Sequence, residues 1–246
     1  MKAIVSTRAA VRASVLCLSL SLAACASGPT ANPKDPLEPM NRSISRFNDT
    51  VDDYVLKPVS TTYRDATPDL VQKGVRNFFN NLSDLWSTVN NGLQLKGRDT
   101  AESLMRFVIN TTVGIYGVFD VATPIGLQRH PEDLGQTLGY WGVPDGPYLV
   151  LPFFGPSTLR DTVAWPGDTA MDPVREHDDV PVRNSAWGVR LVQKRADLLK
   201  ASELLGEASI DKYSFTRDAY LQLRRNQIYD GNPPDDADDG QTPSTP

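Results

Sequence analysis

Between Leu134 and Asp161 the chain reads LGQTLGYWGVPDGPYLVLPFFGPSTLRD, with one acid, Asp145, ahead of Leu159 and five aromatics at Tyr140, Trp141, Tyr148, Phe153 and Phe154. Gly or Pro stands at 135, 139, 142, 144, 146, 147, 152, 155 and 156. Proline removes a backbone donor and fixes φ, and glycine admits φ > 0, so this density of both breaks any regular element longer than a turn or two. The stretch is apolar and cannot be one helix. Irregular backbone at membrane depth is tolerated only where protein covers it or it lines a cavity. Two readings follow: a shaped apolar wall, or a buried irregular loop in an ordinary soluble core.

The N-terminus has the layout of a secretory signal. Lys2, Arg8 and Arg12 precede the acid-free segment Ala13–Ala24, which is too short to span a bilayer comfortably and ends in small residues. Leu22-Ala23-Ala24-Cys25 fits the bacterial lipobox, in which cleavage occurs before a cysteine already linked to diacylglycerol and its new amino group is then acylated. A plain signal peptide with an incidental cysteine is the alternative. Residue 26 is Ala, so the Asp that retains lipoproteins in the inner membrane is missing, and the default address is the periplasmic side of the outer membrane. At about 0.8 kcal/mol per buried methylene, three acyl chains on Cys25 make a permanent anchor. Cys17 leaves with the signal and Cys25 is blocked, so no disulfide framework is expected. Loss of residues 1–24 carries the formal net charge from −5 to −8, which excludes nucleic acid as a natural partner.

Domain organisation follows from composition. Residues 1–24 are the signal and 25–36 a small, polar, Pro-rich tether. Residues 37–229 form one domain, and 230–246, with five Asp, four Pro and no Lys or Arg, form a disordered acidic tail. Leu37, Met40, Ile44, Phe47, Val51 and Tyr54 recur at spacings of three and four, an amphipathic helix expected to stop before Pro58. Thr67-Pro68 is the expected start of the next helix, as N-cap and first helical residue, with Asn80-Asn81 a place where it could kink before it ends near Gly92. Asp99 is the expected cap of a third helix, whose uncharged run Phe107–Phe119 carries small residues suited to close helix packing. A short helix is expected from Pro156-Ser157 to Trp165-Pro166-Gly167, a longer one from Asn184 to Gly206, and a last one over Tyr213–Tyr229 with Arg217, Arg224 and Arg225 exposed. Nothing alternates with period two for long enough to predict a sheet, so the fold class is all-α.

Catalytic and metal chemistry find no support in the sequence. His130 and His177 are the only histidines, no acids or histidines sit at ligand spacing, and no G-x-S-x-G occurs. His130-Pro131 is expected to close a turn. Gly92–Gly97 followed by Arg98-Asp99 has the glycine spacing of a phosphate loop, but Arg replaces the Lys, Asp replaces the hydroxyl, and no strand precedes it. It reads as a helix end, a turn and a helix start. The sequons at Asn41, Asn48, Asn81 and Asn110 carry no weight in a bacterial-type lipoprotein. The chain is expected to be a non-enzyme without a cofactor, apart from the covalent lipid at Cys25.

Several dense motifs stand in a fixed order: Asp35-Pro36-Leu37-Glu38, Asn41-Arg42, Phe47-Asn48, Lys57-Pro58-Val59, Arg76-Asn77-Phe78-Phe79-Asn80-Asn81-Leu82 and Arg106-Phe107-Val108-Ile109-Asn110-Thr111. Gly135–Val143, Gly146-Pro147-Tyr148, Leu151–Pro156 and Leu159-Arg160-Asp161 continue them. In these motifs the chain resembles the MlaA/VacJ family of outer-membrane lipoproteins from about Asp35 to Tyr229. The resemblance implies a ring-like helical domain in the inner leaflet of the outer membrane, with an amphipathic channel. It implies removal of misplaced phospholipid from the outer leaflet and delivery to a periplasmic lipid-binding carrier serving an ABC transporter with an MCE-domain subunit. It also implies a trimeric porin as partner and maintained lipid asymmetry as the outcome.

Placed on the residues, these implications assign the channel wall to Gly142, Pro144, Gly146, Pro147, Tyr148, Leu151, Pro152, Phe153, Phe154 and Gly155. Phe47 and Asn48, a family motif on the first amphipathic helix, are the gating candidates, with core packing the alternative for Phe47. Arg160-Asp161 is expected to be a structural ion pair in preference to a headgroup contact. Moving a charged headgroup through hydrocarbon costs several kcal/mol even on lenient scales, and a wet polar path beside apolar walls lowers that barrier without ATP. A structural envelope lipoprotein, docking through its acidic tail and an exposed arginine face, is the alternative function, and a lipid hydrolase the third.

Overall fold

The computed structural model describes residues 32–234. The signal, Cys25 and its lipid, most of the tether and the tail from residue 235 onward lie outside the described residues. Helix α1 (Glu38–Val51) continues through a π-helical turn (Asp52–Leu56) into α2 (Lys57–Ala66) as one rod. The stop expected before Pro58 does not occur. The Lys57 N–H bonds to Asp52 O, five residues back, so the ladder is already offset where the proline ring would meet the carbonyl four residues earlier. Thr67 is then extended (φ −101°, ψ 126°), as a residue before proline should be, and α3 (Asp69–Leu93) starts one residue later than expected and runs unbroken through Asn80-Asn81.

Helix α4 (Gly97–Thr112) has Lys96 at its N-cap position without a side-chain cap, and the expected cap, Asp99, instead lies in its first turn, where its charge favours the positive helix end. The Gly92–Gly97 link is a turn, with Leu95 at φ 61°. After α4 the chain doubles back against α3. Gly117 (φ 85°) packs so closely there that a Cβ would lie 2.5 Å from the Cβ of Asn81. His130 lies in an irregular segment outside any turn: its Nε2 is 3.0 Å from Glu102 Oε2 and its carbonyl accepts from Asn91 Nδ2 at 3.1 Å. Helix α5 (Leu134–Tyr140) follows, capped by Asp133.

A β-hairpin interrupts the otherwise helical domain, in the stretch where no strand was expected. Strands β1 (Tyr148–Leu151) and β2 (Gly155–Thr158) pair antiparallel, Tyr148 opposite Thr158 and Leu151 opposite Gly155. Four residues per strand are too few to show a period, and Pro156 marks against a strand unless its missing donor points away from the ladder. The outer edge of β1 is completed by a side chain: Asn41 Nδ2 donates to Tyr148 O (2.9 Å) and Val150 N donates to Asn41 Oδ1 (2.9 Å). Helix α6 (Leu159–Ala170) begins at the Thr158 cap, later than the expected Pro156-Ser157, and keeps Pro166 inside. Helices α7 (Val180–Ala208) and α8 (Lys212–Ile228, capped by Asp211) complete the domain.

The apolar faces expected of these helices exist, but apart from Phe79, which is buried, and Ile44, which packs on the hairpin core, much of their surface points outward. Met40 and Phe47 of α1, Tyr54 of the π-turn, Val71, Leu85 and Val89 of α3, and Leu104 and Val108 of α4 are exposed. The buried stripe of α3 is Asn81, Asp84, Ser87 and Asn91, and that of α4 is Ser103, Arg106 and Asn110. Twenty-two polar or charged residues are buried against ten hydrophobic ones among the described residues, the reverse of a water-soluble core. The two helices meet through hydrogen bonds from Arg106 Nε to Asp84 (3.4 Å) and from Asn81 Nδ2 to Thr111 (2.8 Å), and Arg129 Nε, from the loop beyond α4, also donates to Asp84 (2.7 Å). Arg217 and Arg224, expected to be exposed, are also buried, because acids distant in sequence meet them. Among the described residues no helix is long and apolar enough to cross a membrane.

Asn41 is fully buried and serves two backbone groups of β1 and Asp35 Oδ1 (2.8 Å). Asn41→Ala strands these partners at roughly 1–3 kcal/mol each. Thermal melting in detergent micelles is expected to show a Tm lower by about 5–15 °C.

Candidate functional site

One half-enclosed cavity of about 670 Å³ takes its wall from five parts of the chain. Helix α3 contributes Leu82, Ser83 and Trp86; the segment before α5 contributes Glu132 and Asp133; the hairpin tip contributes Phe153 and Phe154. Helix α6 with the loop after it adds Trp165, Asp168, Thr169 and Asp172, and α7 adds Trp187, Arg190, Leu191 and Lys194. Aromatic and charged groups thus share one space, which suits a molecule that is itself part apolar and part charged.

The charged wall is held by fixed bonds. Asp168 Oδ1 accepts from Trp86 Nε1 (2.7 Å) and from the Leu134 N–H (2.8 Å); burial outweighs both and pushes its carboxyl up. Burial likewise raises Glu132, although Gln94 Nε2 (2.8 Å) and Lys96 Nζ (3.0 Å) donate to it. Asp172 pairs with Arg190 Nη1 at 2.5 Å. Behind the wall, Arg224 of α8 bridges Asp133 (2.6 Å) and Asp161 (2.9 Å), and Tyr220 also donates to Asp161 (2.9 Å). Burial would raise Asp161, but Arg224 and Arg160 outweigh it and hold the carboxyl below the usual range. The seam closes over Gly135, where a Cβ would lie 2.4 Å from Asp161 Oδ1. The Arg160-Asp161 ion pair is present at 3.1 Å, and Arg160 also bridges Asp145.

The hairpin tip is held from both sides. Asn48 Nδ2 donates to Leu151 O (2.9 Å) while the Phe153 N–H donates to Asn48 Oδ1 (2.8 Å), and the Phe47 ring meets Phe153 edge-on at 5.2 Å. Phe154 stacks at a tilt on Trp165 at 4.6 Å. Phe153 has φ 67°, a left-handed conformation that costs a bulky residue energy and persists only where neighbours impose it. Phe47 and Asn48 are therefore the residues of α1 that position the tip of the cavity wall.

Of the ten residues assigned to the wall, Phe153 and Phe154 face this cavity. Tyr148 is buried with Val150 and Tyr213 in the hairpin's own core. Gly142 (φ 87°), Gly146 (φ 67°) and Gly155 (φ 82°) make the bends, Pro144 and Pro147 lie between them, and Leu151 and Pro152 lead into the tip. Trp86, Asp168, Asp172, Trp187, Arg190 and Lys194 were not anticipated as site residues. Trp187, Arg190, Leu191 and Lys194 nevertheless sit at i, i+3, i+4 and i+7, one helix face, a spacing that could have found them.

Apolar outside, hydrogen-bonded inside and hollow, the domain is of the class of helical proteins that enclose an amphipathic cavity within an apolar shell. The family model described as MlaA lipoprotein matches residues 33–227, and the chain belongs to that family. The intermembrane phospholipid transport system lipoprotein MlaA of Escherichia coli K12 is 38% identical over 221 residues, 86% of this chain and 86% of that protein. The protein of the same name from Haemophilus influenzae is 31% identical over 87% of this chain and 88% of its own length. A solved structure, described as the structural basis for maintenance of bacterial outer membrane lipid asymmetry, superposes with a TM-score of 0.69 at 35% identity, covering 80% of this chain and 99% of that one.

Asp168→Asn keeps an oxygen for Trp86 and Leu134 and removes a buried charge. A carboxyl raised by folding costs stability once the unfolded chain ionises and costs none below the unfolded value, near 4. The variant is expected to melt above wild type at pH 7, and the difference to shrink toward zero as pH falls through that value, in parallel melts in micelles.

Proposed function

We propose that this lipoprotein takes phospholipids mislocalised to the outer leaflet of the outer membrane, passes them through its amphipathic cavity to a periplasmic lipid-binding carrier, and so maintains lipid asymmetry. The observation that carries this reading is the cavity itself, in which Trp86, Phe154, Trp165 and Trp187 share one wall with fixed charges. The outward apolar helix faces suit burial in the inner leaflet, and a lipid on Cys25 would hold the domain there. A lipid entering such a cavity exchanges water for fixed dipoles at its headgroup and hydrocarbon for aromatic rings at its tails, so no ATP is needed for the passage. A trimeric porin as neighbour in the bilayer, and a carrier feeding an MCE-type ABC transporter, complete the route. The scaffold alternative loses part of its docking face, since Arg217 and Arg224 are buried in ion pairs.

Surface labelling of outer-leaflet phospholipid tests the reading. Cells lacking the gene are expected to show a rise that the wild-type protein reverses and the Cys25→Ala protein does not. No rise under any growth condition would move the assignment to an envelope scaffold.

Phe47 and Asn48 act in this scheme as the latch of the hairpin tip. Phe47→Ala and Asn48→Ala are expected to raise outer-leaflet lipid and detergent sensitivity at wild-type protein levels, with Tm lower by about 2–8 °C from the lost ring pair and hydrogen bonds. Reduced Tm with lipid asymmetry intact would leave both as packing residues only.

A further inference from the structure

The acids of the cavity are all engaged: Glu132 with Lys96 (3.0 Å), Asp133 with Arg224 (2.6 Å), Asp168 with Trp86 (2.7 Å) and Asp172 with Arg190 (2.5 Å). Arg190 is engaged as well, its Nη2 donating to Ser83 Oγ (3.1 Å) and its guanidinium lying over the Phe79 ring. Lys194, one helical turn further along α7, is different. Its ammonium has neither a hydrogen-bond acceptor nor an ion pair among the described residues. It is exposed, but into the cavity, and enough protein surrounds it that burial, with the like charges of Arg190 and Arg129, pushes its ammonium below the usual lysine range against the pull of Asp172. An isolated cation in such a place is relieved by an anion, and no existing pair need break to admit one. Trp187 and Leu191 lie on the same helix face, so an anion at Lys194 would have apolar wall beside it.

The geometry points to Lys194 as the contact for the phosphodiester of a phospholipid inside the cavity, with the acyl chains against the aromatic wall. This assignment rests on the lipid-passage reading and adds where the headgroup is held. Lysine offers a point charge without the planar fork of arginine, which fits a headgroup that must be released again.

The test uses the lipidated full chain in neutral detergent micelles and three probes: phosphatidylglycerol, diacylglycerol as the same lipid body without phosphate, and inorganic phosphate. Wild type is expected to retain both lipids, phosphatidylglycerol more tightly. Lys194→Met is expected to weaken phosphatidylglycerol about tenfold or more, the effect of 1.4 kcal/mol, and to leave diacylglycerol unchanged, with Lys194→Arg restoring most of the loss. Equal phosphatidylglycerol binding by wild type and Lys194→Met, with matching melting curves, would overturn the assignment while leaving lipid passage standing. Failure of wild type to retain either lipid would overturn both. Inorganic phosphate that binds wild type as tightly as phosphatidylglycerol would make Lys194 a free-phosphate site and overturn the lipid assignment.

Discussion

A buried polar group must find its partner inside the protein, and here that demand falls on most of the interior. Asp84 shows the consequence: it lies on α3 almost without exposure and receives Arg106 from α4 and Arg129 from the loop beyond. Such contacts are directional in a way that leucine packing is not, so each fixes an angle as well as a distance. The desolvation of the charges makes these pairs modest contributors to net stability, but breaking one leaves an uncompensated charge and is costly. An interior of this kind holds a cavity open, because the aromatic walls are bound to each other behind the opening by directional hydrogen bonds and ion pairs that resist collapse.

The hairpin carries the same principle to the cavity's rim. Asn41 and Asn48, seven residues apart and therefore on one face of α1, bond the backbone of β1 and the tip in place of a third strand. A lone two-stranded hairpin is marginally stable, and helix side chains here supply what a neighbouring strand would. The tip residues Phe153 and Phe154 are thus placed by α1 on one side and by Trp165 of α6 on the other.

Much of the helix pattern was legible, but its orientation was not. The periodicity at Met40, Phe47 and Tyr54 shows which residues share a face, and it is silent about whether that face meets protein or solvent. Arg217 and Arg224 read as exposed because charged residues usually are; the acid that buries Arg224 most closely, Asp133, is 91 positions away. The Gly and Pro stretch was legible as irregular, and its strands were hidden by being four residues long. The site divided similarly. Phe153 and Phe154 lie in the Gly- and Pro-rich stretch to which the family resemblance assigned the wall, whereas Lys194 stands out only once its neighbours are known to be paired among themselves.

The π-turn at Asp52–Leu56 bears on how one rod can serve two neighbours. A residue added to a helix rotates everything beyond it by about 100°, since a turn holds 3.6 residues. Before the turn, α1 presents Asn41 and Asn48 to the hairpin; at and after it, Asp52 meets Arg195 at 2.6 Å and Tyr63 meets Gln193 at 2.7 Å, both on α7. The extra residue works as a phase shifter, setting the two halves of the rod to different compass bearings. One rod thereby supports, through its first half, the hairpin whose tip walls the cavity and, from Asp52 onward, the helix that walls it opposite.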